Sequence, residues 1–227
     1  MRVPGLPDLR RRSTEPELLD TGVPDEEVAR SLDDLRFVHR WLGARHRLLA
    51  ATRPHLEAGG TLLDVGCGSA DLPAFLLAHV PSPGLGVGLD VKLAHLREPP
   101  ASVSPVVADV KALPFPEAAF DVVTASLFLH HFDDVAPVLR RLYRLARRAL
   151  VVSDLRRAAA PHIFGQLLFP LLFRSPVSVH DGLVSIRRGF RPAELRGAFE
   201  EAGIPNVRIH RCFPYRLLAV ATRPERP

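Results

Sequence analysis

The stretch TLLDVGCGSADLPAFLLAHV, residues 61–80, decides the fold. Residues 61–65 read as an apolar strand, Gly66 and Gly68 as a tight turn, and the remainder as a helix with Asp71 in its first turn. That is the first half of a strand–helix–strand unit. Outward from it, residues 85–90, 103–108, 120–125 and 149–152 form further short aliphatic strands, each ending at a polar residue or a turn. Helical spacing over residues 133–147 places a helix before the last of them. Strands alternating with helices predict a mainly parallel sheet covered on both faces.

The flanks are less regular. After a proline-rich lead, residues 25–56 carry apolar residues at helical spacing, with Gly43 as a break and Phe37 and Trp41 as the large side chains. Beyond Asp154, PHIFGQLLFPLLF (161–173) reads as a greasy helix interrupted by Pro170, and SPVSVHDGLVSIRRGF (175–190) as a polar loop with a short apolar stretch. FRPAELRGAFEEAGI (190–204) gives a helix with Pro192 in its first turn and Gly203 past its end. Two apolar runs, 207–210 and 217–222, predict a closing antiparallel pair. The expected organisation is a helical extension or lid over residues 1–58, then one domain over 59–227 with a cap around 156–190.

Composition removes several classes. With 47% apolar residues in 227, the chain can bury a full core and is no disordered or collagen-like polymer. Two cysteines, Cys67 and Cys212, cannot make a disulfide framework or a four-thiolate zinc site, and no metal site is expected; a reducing, cytoplasmic setting is. The start MRVPGLPDLRRR lacks the apolar core of a signal peptide, and residues 163–173 are too short to span a bilayer, so a soluble protein is expected. The net charge of +5 invites a nucleic-acid reading, but all but two of the thirty basic residues are arginine, scattered and without interleaved aromatic platforms. Nucleic acid is therefore not expected.

Ligands of an open parallel sheet bind at the carboxyl ends of the strands. Three carboxylates stand there: Asp64, Asp90 and Asp109. Each alone serves equally as a turn or helix cap; together they suit a cationic, hydroxyl-rich ligand without phosphates. S-adenosylmethionine fits that description. A dinucleotide fits poorly, because the third glycine of G-x-G-x-x-G is replaced by Asp71, whose charge would face the pyrophosphate.

The series LLDVGCGSA…GLDV…VVADVKALPFPEAAFDVVTASLFLHHFDD resembles the class I S-adenosylmethionine-dependent methyltransferases, particularly the ubiquinone and menaquinone biosynthesis group. The likeness covers residues 61–152, and residues 190–222 are similar to that group's C-terminal end. It implies a Rossmann-like α/β fold: a seven-stranded, mostly parallel sheet with an antiparallel C-terminal pair. It also implies that Asp64, Gly66, Cys67 and Gly68 surround the methionine part of the cofactor. Asp90, with Val91 beside it, would hold the ribose, Asp109 and Val110 would meet the adenine, and Ser126 and Leu127 would line the pocket. Cys67 is read as a packing residue.

Methyl transfer from a sulfonium needs alignment more than acid catalysis, but a phenolic acceptor also loses a proton and benefits from a base. His131 is the first candidate and His130 the second, both just after the fourth strand. His180 beside Asp181 is the third, although neighbours on an extended strand would point apart. Phe164, Phe169, Leu171 and Phe173 in the greasy segment would build an apolar acceptor pocket, hence a lipophilic, phenolic or quinol-type substrate and O-methylation. C-methylation of an activated ring is the close alternative. A non-catalytic binding protein or an RNA-binding module is the alternative of another class, and a monomer or homodimer is expected.

Overall fold

The computed structural model describes residues 7–41, 44–82 and 84–224, with the backbone alone at His39, Trp41 and Ala44. Seven strands form one sheet: β1 (Leu62–Val65), β2 (Gly86–Asp90), β3 (Ser104–Val107), β4 (Phe120–Ser126), β5 (Ala146–Leu155), β6 (Val207–Cys212) and β7 (Arg216–Thr222), in the order β3-β2-β1-β4-β5-β7-β6. The first five pair in parallel, and β7 runs antiparallel to both β5 and β6. The expected architecture holds. Strand order reverses between β1 and β4, which opens a crevice at their carboxyl ends.

The helices described are α1 (Leu18–Thr21), α2 (Asp25–Trp41), α3 (Ala44–Thr52), α4 (Asp71–Leu77), α5 (Ala136–Leu145), α6 (Ala159–Leu172), α7 (Pro176–Arg188) and α8 (Pro192–Glu201). β1, β2 and β4 are buried along their whole length, as strands covered on both faces must be. Alternate residues serve the two faces. Leu63, Val65, Val123, Ala125, Leu150 and Val152 pack with Leu139, Leu142 and Phe199 of α5 and α8. Leu62, Val122, Ala149 and Val151 pack with Leu48 of α3 and Leu72 and Leu76 of α4. No described helix is long and apolar enough to cross a membrane.

Several local expectations need correction. Residues 176–188 are a helix, not a polar loop: Ser175 accepts from the backbone N–H groups of Val177 and Ser178, and Pro176 sits at the first helical position, where no N–H is needed. The polar residues that hid its periodicity are buried, among them Ser178, Asp181 and Arg188. α6 runs through Pro170, which falls in its last turn. α5 ends at Leu145, so Arg147 and Arg148 lie on β5, paired with Asp121 and Glu57. The proline-rich lead is also structured and is tied down by the Ser13 N–H on the Arg187 carbonyl, 3.1 Å. Gly43, the expected break, lies outside the described residues.

Candidate active site

At the carboxyl ends of β1, β2 and β4 the structure has a cavity of about 780 Å³. Its floor is the glycine turn. Gly66 (φ +68°) and Gly68 (φ +54°) are in the left-handed region, and a Cβ at Gly66 would fall inside the Phe128 ring, so only glycine fits there. The N–H groups of Gly66 and Cys67 donate to the Leu89 carbonyl, and that of Gly68 donates to Asp90 Oδ2 at 3.0 Å. Turn and second strand are thus fastened to each other.

The carboxylates differ in setting. Asp64 lies beneath the turn, fully buried and outside the cavity wall, with the Thr124 hydroxyl donating to it at 2.6 Å. Burial pushes its carboxyl up to about 7, and the charge of Asp90 adds to the effect. Asp90 is in the wall, and its Oδ1 accepts from the Lys92 N–H at 2.9 Å and lies 3.2 Å from His95 Nδ1. Burial pushes the Asp90 carboxyl up, but His95 and the two backbone donors outweigh it, so its pKa is lowered. Asp109 is an exposed part of the wall, accepting from the Lys111 N–H, with Val110 buried beside it. Val91, Ser126 and Leu127 also line the cavity, and Ser126 Oγ is buried without a hydrogen-bond partner. Burial pushes the Cys67 thiol up, as do Asp64 and Asp90, so it packs rather than reacts.

The three histidines part company. His130 is buried, with Nδ1 at 2.7 Å from Asp154 Oδ1 and Nε2 at 3.4 Å from Glu17 Oε1. Burial pushes its pKa down, but Asp154 and Glu17 override that and raise it to about 9. The two carboxylates thus favour the charged form of this ring over the free base. His131 lines the cavity, partly exposed, with Nδ1 held by Asp20 Oδ2 at 3.0 Å and Nε2 at 3.9 Å from Glu17 Oε2. The two ring centroids are 4.4 Å apart, with the ring planes tilted by 31°. His180 Nδ1 does lie 2.9 Å from Asp181 Oδ1, both on α7 and not on a strand, but His180 stands outside the cavity. Asp181 instead anchors α1, accepting from the N–H groups of Leu18 and Leu19.

Glu17, Asp20 and Asp154 were not legible as site residues. The first two come from the lead, and their contacts with His130 and His131 cross more than a hundred residues of chain. His95 was also missed; it lines the cavity five residues after Asp90, with Nε2 buried and without a hydrogen bond.

The far half of the cavity is apolar. Phe164, Leu168, Phe169 and Leu172 of α6 line it, with Phe173 and with Phe213 from the turn between β6 and β7. Leu171, expected there, is 80% exposed and points away. From α2, Leu32, Leu35, Arg36 and Val38 line the cavity, Leu32 beside Gly68, and Arg36 Nε lies 3.2 Å from Ser69 Oγ and from Asp71. Phe37, expected to do this, is not in the wall, and the Trp41 side chain lies outside the described residues.

Comparisons with known proteins agree with this geometry. Residues 63–149 match the family described as "Methyltransferase domain". A demethylmenaquinone methyltransferase of Roseiflexus sp. (strain RS-1) is 30% identical over 165 residues, spanning 65% of this chain and 69% of the relative. A 27-O-demethylrifamycin SV methyltransferase of Amycolatopsis mediterranei is 39% identical over 100 residues, 40% of this chain and 36% of the relative. Among solved structures, a SAM-dependent methyltransferase from Aquifex aeolicus superposes with a TM-score of 0.66 at 18% identity, over 88% of this chain and 99% of that one.

Proposed function

Because this chain belongs to the class I S-adenosylmethionine-dependent methyltransferases, we propose that its acceptor is a small lipophilic phenol or quinol, methylated on a hydroxyl oxygen. The observation that carries this reading is the division of one cavity into an acidic, glycine-floored half and an apolar half, with His131 among the residues that line it. S-adenosylmethionine, when bound, supplies an electrophilic methyl group on a sulfonium.

The residues present fit that cofactor. Only a glycine floor leaves room at Gly66, and Ser126 Oγ and His95 Nε2 are buried polar atoms awaiting partners. In our reading Gly66, Cys67, Gly68 and Arg36 meet the methionine part, with Asp64 supporting the turn from below. Asp90 and His95 hold the ribose, with Val91 alongside; Asp109 and Val110 meet the adenine, and Ser126 and Leu127 close the wall. Residues 1–58 act as a lid through α2, and residues 156–190 as a cap. Asp90→Ala should weaken binding of the cofactor and of its demethylated product by about 1–3 kcal/mol, roughly 5- to 150-fold. Calorimetry with both ligands checks this, and an unchanged dissociation constant would place the ribose elsewhere.

His131 Nε2 receives the acceptor's hydroxyl hydrogen, with Asp20 steadying Nδ1 from behind. The apolar half excludes water and orients the ring. His131→Ala should therefore lower kcat about 10²–10⁴-fold while leaving cofactor affinity unchanged. The acceptor itself is found by a mass-spectrometric screen of phenols, quinols and short RNAs, with the methylated atom located by NMR. Methylation of RNA alone would overturn the proposal. Ring C-methylation is the second reading, because the same apolar half would seat an activated ring, and the same NMR spectrum separates the two.

A further inference from the structure

Glu17, His130 and His131 present their donor atoms to one point. His130 Nε2 is 3.4 Å from Glu17 Oε1, His131 Nε2 is 3.9 Å from Glu17 Oε2, and the three donors lie within 4.8 Å of one another. Nitrogen and oxygen ligands at about 2.0–2.2 Å around a tetrahedral ion stand roughly 3.4 Å apart, so only a small inward turn of the partly exposed His131 is needed.

Orientation is the second observation. Each of the three residues is held from behind on the atom that does not face the common point, or by a donor beside it. Asp154 holds His130 Nδ1 at 2.7 Å, Asp20 holds His131 Nδ1 at 3.0 Å, and the Ser185 hydroxyl donates to Glu17 at 2.5 Å. Carboxylates on Nδ1 fix a histidine with Nε2 forward and raise its basicity as a ligand, which is the outer shell found around metal-binding imidazoles.

We propose that Glu17, His130 and His131 bind one first-row divalent cation of the Zn²⁺ or Fe²⁺ type. The ion takes the place of the proton that His130 directs at Glu17, while the Nδ1 proton stays with Asp154. Two imidazoles and one carboxylate suit such ions and are poorly matched to Mg²⁺ or Ca²⁺, which prefer oxygen alone. Three protein ligands leave a coordination position open, and all three residues line the cavity. An oxygen of the acceptor fits that position. In the metal-loaded enzyme His131 Nε2 is a ligand, so the ion takes its place at the substrate hydroxyl oxygen and the hydroxyl proton passes to solvent, a refinement that rests on the acceptor reading above. The paucity of cysteine excludes only a thiolate site and is silent on this one.

The test uses the whole chain, freed of metal with EDTA and dialysed. Calorimetry with Zn²⁺ should give one ion per chain, the Co²⁺ form should show visible absorption of imidazole and carboxylate ligation, and Mg²⁺ should give no heat. Glu17→Gln and His131→Ala should each weaken Zn²⁺ binding tenfold or more, and Asp20→Asn about 10–100-fold. Cys212→Ser should leave it unchanged, and circular dichroism checks that each variant is folded. No one-to-one binding by the parent protein, or wild-type affinity in both Glu17→Gln and His131→Ala, overturns the proposal. Neither cofactor nor acceptor is present in these titrations, so their failure leaves the methyl-acceptor reading intact. A failed acceptor screen beside a positive titration would instead sink that reading alone.

Discussion

Asp154→Ala is expected to destabilise the fold by about 3–5 kcal/mol, the usual cost of removing one partner from a buried ion pair. Asp154 is completely buried at the end of β5. Its carboxylate takes the His130 ring at 2.7 Å and the His130 N–H at 3.2 Å, and Arg216, also buried, adds a second positive charge nearby. Burial pushes the Asp154 carboxyl up, yet His130 pulls it below the ordinary range, so the pair is ionic in the folded state. Alanine would strand Arg216 in the interior, leave His130 with Glu17 alone, and free the turn that carries His130 and His131. Denaturant titration measures the loss, and Asp154→Asn, which keeps the shape and one acceptor, should lose less. A cost near zero for alanine would mean that water reaches this carboxylate.

The second large effect runs in the opposite direction. A carboxyl raised from 3.8 to about 7 by burial holds its proton more tightly folded than unfolded. Its contribution to stability is therefore fully present below the unfolded pKa of about 3.9 and is lost as pH rises through 7. A tenfold change in proton affinity is worth about 1.4 kcal/mol, so Asp64 withdraws on the order of 4 kcal/mol from the cofactor-free protein at pH 8. Asp64→Asn cannot ionise and still accepts from Thr124. It should match the parent at pH 4, exceed it at pH 8, and flatten the decline between them. Parallel stability curves for the two proteins would contradict this account of the site's floor.

How far the sequence reached follows from which interactions are local. The glycine turn, the short strands and the polar residues at their ends are read from neighbours in the chain, and they yielded the sheet and the positions of Asp90, Asp109 and Ser126 around the cavity. Residues 175–190 failed because Asp181 and Ser185 are polar for a distant reason: they receive the lead segment, and polar residues at those positions erase the apolar period of the helix. The Ser175–Pro176 pair was the local sign that a helix begins. His130 and His131 were legible as a pair, but Glu17, Asp20 and Asp154, which decide what each ring can do, reach them only through the folded chain. The cap was recognisable from its greasy composition, whereas which of its side chains turn inward depends on how α6 lies on α7.

The tethering of residues 12–19 to α7 sets an order on biosynthesis. Leu18 and Leu19 wait for Asp181, 163 and 162 residues downstream, and the Glu15 carbonyl waits for Arg188, 173 residues on. A nascent chain leaving the ribosome thus exposes its first segment with no docking place until most of the polypeptide has been translated. Glu17 and Asp20 reach the histidines only after that late docking, so this part of the cavity wall cannot form until α7 has been made.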